Sequence, residues 1–348
     1  MDSQELRRDP RDDLRPITPR KAFEEWLGYV RSNTSGDTAN SYERRVELFV
    51  SWCESEGMLN LNNVDGRDIK EYRDYRDPAV NRTTMKNELR TVRQFLEYGV
   101  ALEAVEPALV EKIGHHIPSL TKGEESSDLT ISRERVMAIL AHLDKYRYAT
   151  RDHALFLTLW DTGARISGVQ ALDVDDFDAE DGTVTFVSRP ESETRLKNGQ
   201  NGERMNVLDE KTVDVLRDYI REHRKKRTDE FGREPLFTTK FGRPTSSTIR
   251  RTTYTLTQPC SRGGCPHGEE PEACLYREHG HESKCPSSLS PHPIRTGRIT
   301  DLRNRGVRIA HVAGRVDAMP DTIRAYYDKP DLGEDLARRR GPIANTGL

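Results

Sequence analysis

The chain lacks the apolar runs of a membrane protein. No stretch of its 348 residues approaches the roughly 20 consecutive apolar residues of a membrane-spanning helix. Hydrophobic residues make up only 34% of the sequence and the mean hydropathy is −0.82, which argues against a membrane partner. The N-terminal sequence, MDSQELRRDPRDD, is charged and has no apolar segment of the kind found in a secretory signal. These absences predict a cytoplasmic protein, with enough residues for two domains.

Cysteine is scarce, and most of it lies in one segment. Four of the five cysteines fall between residues 260 and 285, spaced C-x4-C-x8-C-x10-C among glycines and prolines. Disulfides are disfavoured in a cytoplasmic protein, whereas four thiolates suit a closed structural zinc site. The predicted ligands are Cys260, Cys265, Cys274 and Cys285. Because the spacing has no tight C-x2-C knuckle, free thiols or redox behaviour stay open as alternatives.

A large positive charge is also missing. The 55 Lys and Arg residues are outnumbered by 58 Asp and Glu residues, so the net charge is −3. This is a mild argument against a nucleic-acid partner. Phosphate binding depends on local patches, however, and basic clusters occur at 221–227, 250–251 and 295–308. Each cluster is equally compatible with a solvated helix face.

The segment from 290 to 329 carries the clearest chemistry. Pro293 suits the first position of a helix, which puts His292 at the helix N-terminus. Arg295 lies three residues further on, so it shares a face with His292. A helix N-terminus favours an anionic target. The segment ends with the pair Tyr326-Tyr327. An Arg, a His and a Tyr gathered at one phosphate would suffice for attack on a phosphodiester.

Two further patterns precede this segment. A helix is predicted to stop at Thr162, and Gly163 allows the tight turn that would start the next helix at Arg165. Short strands are predicted in the region that follows, with a turn signal at 198–202. The predicted strands are Thr183 to Ser188, Glu193 to Lys197 and Glu203 to Leu208.

Taken together, these segments resemble the tyrosine recombinases, or phage-type integrases, including site-specific integrases of archaeal type. The signature of that family is an H-x-x-R box followed by a nucleophilic Tyr. The run from Asp161 to Ser167, DTGARIS, resembles the T-G-x-R-I-S box that carries the first Arg of the family. Each box alone is a short pattern, but three in the right order are far more specific.

The resemblance implies which residues are catalytic, from the positions that match the motifs of the family. Its members are Tyr327, Arg165, Lys197, His292 and Arg295. Tyr327 matches the nucleophile better than its neighbour Tyr326, and Lys197 matches the catalytic Lys at the tip of a hairpin. Two positions depart from the family pattern. Gly168 stands where many relatives have an acidic residue, and Asp317 replaces a His or Trp that bonds to the phosphate.

The resemblance also implies the architecture. We expect a mainly α fold with a small antiparallel β-sheet, in which an N-terminal helical, SAM-like core-binding domain precedes a DNA breaking-rejoining domain. The expected ranges are 18–114 for the DNA-clamp domain, 115–130 for the linker and 131–348 for the catalytic domain, which includes the Cys-rich insert at 260–285.

The implied function is site-specific DNA recombination through a 3′-phosphotyrosine intermediate. Double-stranded DNA would be the substrate, the protein would act as a homo-oligomer (a tetramer on DNA), and no cofactor would be needed for catalysis. Two alternatives remain at the level of sequence. One is a zinc-bearing DNA-binding regulator that has lost strand cleavage, and the other is a type IB topoisomerase.

Overall fold

The chain folds into two compact units, residues 1–127 and 128–348. The computed structural model describes residues 13–121, 124, 129–328 and 330–344. The mainly α fold with a small antiparallel sheet is confirmed. In the described ranges, no helix is both long and apolar enough to cross a membrane.

The first unit is helical throughout its described part. Its helices are α1 (Pro19–Asn33), α2 (Gly36–Ser55), α3 (Gly66–Arg76), α4 (Arg82–Ala101) and α5 (Pro107–His116). Asp65 caps α3 in a reciprocal capping box with Asp68, which fixes where that helix begins. Apolar side chains at helical spacing, such as Phe23, Trp26 and Phe49, form a common core. Helix α5 runs to His116, so the predicted linker at 115–130 begins within a helix.

A closed polar cluster lies in the core of this unit. Glu88 is 1% exposed and accepts hydrogen bonds from the Tyr72 hydroxyl at 2.5 Å and from Arg76 at 2.8 and 3.1 Å. Burial, followed by the negative charge of Glu88, raises the pKa of the Tyr72 phenol. The buried carboxylate is therefore stabilised by a paired cation and a neutral donor.

The second unit packs its helices around a larger core. In order they are α6 (Arg133–Tyr146), α7 (Arg151–Thr162), α8 (Ile166–Ala171), α9 (Glu210–Asp218), α10 (Ser246–Thr257), α11 (Pro291–Asn304), α12 (Ile309–Val316), α13 (Pro320–Thr322) and α14 (Leu332–Ala344). A π-helical turn, Ile323–Tyr327, follows α13. Ser132 caps α6 as predicted. Helix α7 is buried along its length and carries the central apolar residues Leu155, Phe156 and Leu159.

The sheet has the strand order β1-β2-β3 and is antiparallel. Its strands are β1 (Phe177–Asp178), β2 (Thr183–Phe186) and β3 (Arg204–Val207). Residues 193–197, predicted as a strand, do not form one. Side chains at 192, 194 and 196 point inward in strand-like alternation, but this segment pairs only through one isolated bridge, Arg189 with Thr194. Glu193 has a left-handed conformation and Lys197 lies in a turn, so the strand prediction for this segment is wrong.

Candidate active site

Arg165 is positioned by the turn between α7 and α8. Gly163 ends α7 with φ +61°, a left-handed conformation that favours glycine. A Cβ there would also lie 3.1 Å from Val316. Arg165 then takes the N-cap position of α8 in an extended conformation, so its side chain leaves the helix axis. The predicted break and restart around Gly163 are both observed.

Helix α11 carries His292 and Arg295. The helix begins at Pro291, so Pro293 is its third residue and not its first as the sequence predicted. Both prolines are tolerated because the first four N–H groups of a helix have no internal partner. His292 is the second residue of the helix and Arg295 the fifth, so both lie within its first two turns, and Arg295 is only 2% exposed.

Three arginines converge on the C-terminus of α12. Arg204 Nε donates to the carbonyl of Arg315 at 2.8 Å, and Arg295 Nη1 donates to that of Val316 at 2.6 Å. Arg165 Nη1 donates to the next carbonyl, that of Asp317, at 2.7 Å. The last carbonyls of a helix have no internal partner and carry partial negative charge. One helix end therefore gathers three guanidinium groups that are far apart in the sequence.

Arg295 keeps two of its nitrogens open. Its Nη1 also donates to the Gly163 carbonyl at 2.8 Å, but within the described residues neither Nε nor Nη2 has a hydrogen-bond partner, and both are buried. Burial lowers the pKa of this guanidinium, and the charge of Arg165 lowers it further. Buried donors without partners are costly, so an anion that accepts from them would be strongly stabilised.

Tyr327 lies against the same group. The Arg295 guanidinium is 5.0 Å from the centre of the Tyr327 ring, and the His292 ring centre is 5.3 Å from it. Tyr327 is 9% exposed, and its carbonyl accepts a hydrogen bond from Thr300 of α11 at 3.2 Å. Tyr327 is also a buried member of the small core formed by α11, α12 and the π turn, and Tyr326 packs against that core, partly buried. The phenol that meets His292 and Arg295 is therefore that of Tyr327.

The electrostatics of the site favour a neutral imidazole. Partial desolvation lowers the pKa of His292, whose side chain stays in contact with solvent, and the charges of Arg295 and Arg165 lower it further. Burial also lowers the pKa of Arg204 to about 10, and the neighbouring Arg295 and Arg165 act in the same direction. The positive charges are thus crowded together, with Asp317 as the nearby carboxylate. Such crowding is expected where a protein binds a dianion or a phosphodiester.

Lys197 lies at the edge of the same site. Its side chain lines a narrow crevice together with Arg165, Arg204 and Asp317. It is exposed and belongs to the connection between β2 and β3. The structure thus brings Lys197 next to Arg165 and Arg204.

Sequence reasoning missed Arg204. It pairs with Phe186 across the sheet, and its guanidinium lies 4.1 Å from the centre of that ring. The signal lay in β3 itself, where Asn206 points inward while Met205 and Val207 are exposed. A strand that turns polar residues inward and apolar residues outward often serves a polar site on its inner side.

The Cys-rich insert packs on the end of α10. Gln258 Nε2 donates to the carbonyls of Tyr276 at 2.8 Å and Glu282 at 3.3 Å. Burial raises the pKa of the Cys260 thiol, and Cys265 and Cys285 raise it further. In the part of the chain that the structure describes, however, no three His, Cys, Asp or Glu side chains converge as metal ligands. The donor chemistry of the insert fits zinc, whereas its side-chain arrangement does not form a metal site.

Comparison with known proteins identifies the family. The model for the phage integrase family matches residues 130–267, and the model for its N-terminal SAM-like domain matches residues 23–101. The chain belongs to the tyrosine recombinase family. The family match ends before α11, so the roles of His292, Arg295 and Tyr327 depend on their motif and geometry.

Individual relatives of this integrase-family chain are distant. Tyrosine recombinase XerD of Corynebacterium glutamicum is 26% identical over 174 residues, 43% of this chain and 52% of the relative. Tyrosine recombinase XerC of Oceanobacillus iheyensis is 25% identical over 169 residues, 47% of this chain and 52% of the relative. The chain thus spans about half the length of each of these relatives.

Solved structures share the fold. The Tn1549 transposon integrase, in complex with a circular intermediate DNA, has a TM-score of 0.67 at 13% identity and covers 95% of this chain and 100% of its own. The lambda integrase, as a tetramer bound to a Holliday junction, has a TM-score of 0.61 at 12% identity, with 91% and 79% covered. At such identities the likeness supports the fold alone.

Proposed function

We propose that this protein is a site-specific DNA recombinase that cuts and rejoins strands through a 3′-phosphotyrosine intermediate. One observation carries the proposal. Arg295 is anchored beside Arg165 on one helix end, lies 5.0 Å from the centre of the Tyr327 ring, and has two buried nitrogens that make no hydrogen bond to any described residue. A scissile phosphate would supply the missing acceptors next to the nucleophile.

The proposed chemistry is a direct transfer of a phosphoryl group. The Tyr327 oxygen attacks phosphorus, and the bond from phosphorus to the 5′ oxygen breaks. The phenol proton passes to His292, whose lowered pKa leaves the imidazole neutral and able to accept it. Lys197 donates a proton to the departing 5′ oxygen. Rejoining reverses these steps on another strand, so no external energy source is required.

The arginines supply most of the expected rate enhancement. Phenols are largely protonated at neutral pH and attack poorly without help. Arg165 and Arg295 would bind the non-bridging oxygens and neutralise the charge that develops in the transition state, an effect worth about 3 kcal/mol per well-placed donor. Arg204 adds positive charge without direct contact, since its Nε and Nη1 already bond to the Arg315 and Gly202 carbonyls.

Duplex DNA and a homo-oligomer are proposed as partners. The Tn1549 and lambda integrases that share the fold are described in complex with DNA, the latter as a tetramer. We propose that the helical unit at 18–114 holds the duplex and that four copies assemble on two sites. Native mass measurement with and without DNA tests the assembly, and a single copy per duplex under all conditions would exclude a tetramer. The cytoplasmic location and the domain boundaries stay predictions from sequence.

Covalent capture tests the activity. The protein is incubated with a pool of nicked duplexes of randomised sequence, because the nick lets the cleaved fragment diffuse away and traps the intermediate. Detergent then removes DNA that is bound without a covalent link. We expect covalent adducts with wild-type protein and with Tyr326→Phe, none with Tyr327→Phe, and a free 5′-hydroxyl on the released fragment.

The same experiment separates the alternatives. DNA binding without any adduct would favour a regulator that has lost strand cleavage. An adduct with Tyr327→Phe but not with Tyr326→Phe would reassign the nucleophile. Relaxation of plasmid DNA by single copies of the protein, without exchange between sites, would favour a topoisomerase.

The zinc site remains a prediction from the cysteine pattern. Elemental analysis of protein purified without chelators should find about one zinc per chain. Loss of that zinc in Cys265→Ser, with retention in Cys53→Ser, would locate it in the insert. Absence of zinc from wild-type protein would leave the insert as a segment of free thiols.

A further inference from the structure

Asp317 occupies an unusual backbone conformation at the end of α12. Its φ and ψ are 54° and 64°, in the left-handed region that non-glycine residues rarely adopt. Asp and Asn tolerate this region better than most residues. Because the turn connects α12 to the segment that ends in Tyr327, the conformation determines where the nucleophile-bearing segment begins.

The side chain of Asp317 links two other parts of the site. Its Oδ2 accepts from Arg165 Nη1 at 2.8 Å, and its Oδ1 accepts from Asn198 Nδ2 at 2.8 Å. Asn198 directly follows Lys197 in the chain. The Asp317 side chain is only 13% exposed, so its charge-assisted bond to Arg165 is partly shielded from water, whereas its bond to Asn198 lies at the surface. One carboxylate therefore ties Arg165 to the segment that carries Lys197.

The position of Gly168 shows that the carboxylate beside Arg165 does not come from α8. Helix α8 supplies no acidic side chain at this position, and a Cβ at Gly168 would lie 3.3 Å from the Phe186 ring. That space is therefore filled by an aromatic residue. The carboxylate that pairs with Arg165 comes instead from Asp317, 152 residues along the chain. The two departures from the family pattern, at 168 and 317, are complementary.

The hydrogen-bonding pattern favours a supporting role for Asp317. Both of its bonds to Arg165 are to Nη1, the backbone bond at 2.7 Å and the side-chain bond at 2.8 Å. Arg295 is held in the same manner, through Nη1 to two carbonyls, with Nε and Nη2 open. In each case one nitrogen is used for anchoring, which orients the remaining donors.

We propose that Asp317 is a positioning residue that holds Arg165 and the Lys197 segment in fixed relation to each other. This inference rests on the proposed function, since it assigns Arg165 to the phosphate and Lys197 to the leaving oxygen. Asp317 acts through these two residues and does not touch the phosphate. Its loss slows bond cleavage more than it weakens DNA binding.

The test uses three variants of the full chain. Asp317→Asn keeps the size and the left-handed turn but removes the charge. Asn198→Ala breaks only the link to the Lys197 segment, at an exposed residue where folding is not at risk. Asp229→Asn is the matched control, because Asp229 is 15% exposed and also pairs with arginines, at 3.0 Å from both Arg233 and Arg243.

Each variant is assayed on captured duplexes that carry either the natural 5′ oxygen or sulfur in its place at the scissile bond. Sulfur leaves without a proton, so it bypasses a misplaced Lys197. With oxygen at saturating DNA, we expect Asp317→Asn to form adduct about tenfold more slowly, and Asn198→Ala several-fold more slowly. Sulfur should restore Asn198→Ala almost fully and Asp317→Asn in part. DNA affinity should stay within about threefold for both, and Asp229→Asn should match wild type.

Three results would overturn the inference. Faster adduct formation by Asp317→Asn would mean that the carboxylate competes with the phosphate for Arg165. Equal losses on oxygen and sulfur, accompanied by a matching loss of DNA affinity and melting temperature, would indicate a purely structural role. If Asp317→Asn equals wild type, Asp317 has no role in the reaction. Absence of adduct from wild-type protein is a distinct outcome, which removes the proposed function and this inference with it.

Discussion

In the N-terminal unit Arg76 donates two hydrogen bonds to the buried carboxylate of Glu88, whereas in the C-terminal unit Arg295 rests on two backbone carbonyls. Among the described residues, no carboxylate forms an ion pair with Arg295 and two of its nitrogens have no hydrogen-bond partner. The first arrangement satisfies its own charges and stabilises a fold. The second holds a cation in place and leaves its donors for a ligand, at a cost in stability.

Replacing Arg295 tests the arrangement in which donors are left for a ligand, and it should have the largest effect on the rate of adduct formation. Arg295→Met keeps the length of the side chain but removes the charge and all donors. We expect adduct formation to fall at least about a hundredfold, because transition-state donors of this kind contribute about 3 kcal/mol. The free energy of unfolding should change by less than about 1 kcal/mol, since the loss of two bonds to carbonyls is offset by relief of charge burial. Single-turnover assays and urea titration measure the two quantities, and a large loss of stability would contradict the comparison.

Replacing Glu88 tests the arrangement in which the charges are paired with each other. It should lower stability and leave the reaction rate almost unchanged. Glu88→Gln removes the charge that pairs with Arg76 and leaves the Tyr72 hydroxyl with a weaker acceptor. The free energy of unfolding should fall by about 2 kcal/mol. The rate of adduct formation at saturating DNA should stay within about twofold below the melting temperature. If the rate fell as far as in Arg295→Met, the cluster would not be merely structural.

His153 shows that a buried atom without a hydrogen bond does not by itself mark a binding site. It is 0% exposed, and its Nδ1 accepts from the Ala149 N–H at 3.2 Å. Within the described residues its Nε2 makes no hydrogen bond, although Asp144 Oδ1 lies 3.4 Å away. Burial lowers the pKa of His153 to about 4. The unfolded chain therefore binds more protons than the folded chain between about pH 6.5 and pH 4, and stability falls as pH falls through this range.

The pH effect of His153 on stability should be about 1 kcal/mol. Lowering the pH from 7.5 to 5.5 should reduce the free energy of unfolding by that amount through His153 alone. His153→Asn keeps an acceptor for the Ala149 N–H but does not titrate, so its unfolding free energy should depend less on pH by that amount. Urea titrations at the two pH values measure the difference. Equal pH dependence in the variant and wild type would contradict the assignment.

The pH dependence of cleavage should show the smallest effect. Partial desolvation and the charges of Arg295 and Arg165 lower the pKa of His292, so the neutral imidazole persists below pH 6.5. The rate of adduct formation at pH 6.5 should therefore remain above half of its plateau at higher pH. His292→Gln should lose rate and this dependence together. A half-maximal rate above pH 6.5 would argue against His292 as the proton acceptor.

The residues of the site that belong to local sequence motifs could be predicted from the sequence. The break at Gly163, the H-x-x-R motif and the Tyr pair are local, so the positions of Arg165, His292 and Arg295 could be inferred before their convergence was known. The segment at 193–197 is predicted as a strand but does not form one, because residue types that favour strands carry no information about a pairing partner.

Contacts with the backbone could not be inferred in this way. The carbonyls of Arg315, Val316 and Asp317 accept hydrogen bonds from three arginines. The residue types of α12 do not predict this, because every residue has the same carbonyl. Arg204 was missed because the strand prediction for 203–208 says nothing about which side chains face inward, and in β3 Asn206 is buried. The link from Asp317 to Asn198 spans 119 residues, a separation at which local periodicity has no predictive value.

The use of main-chain oxygens at the end of α12 has a consequence for how this site can change. Every residue type offers the same carbonyl, so the side chain at 316 can vary in shape while its oxygen still accepts from Arg295. What must be preserved is the path of the chain through that turn. An insertion or deletion of one residue there would shift all three oxygens at once, and would disrupt the guanidinium cluster more thoroughly than many of the point substitutions around it.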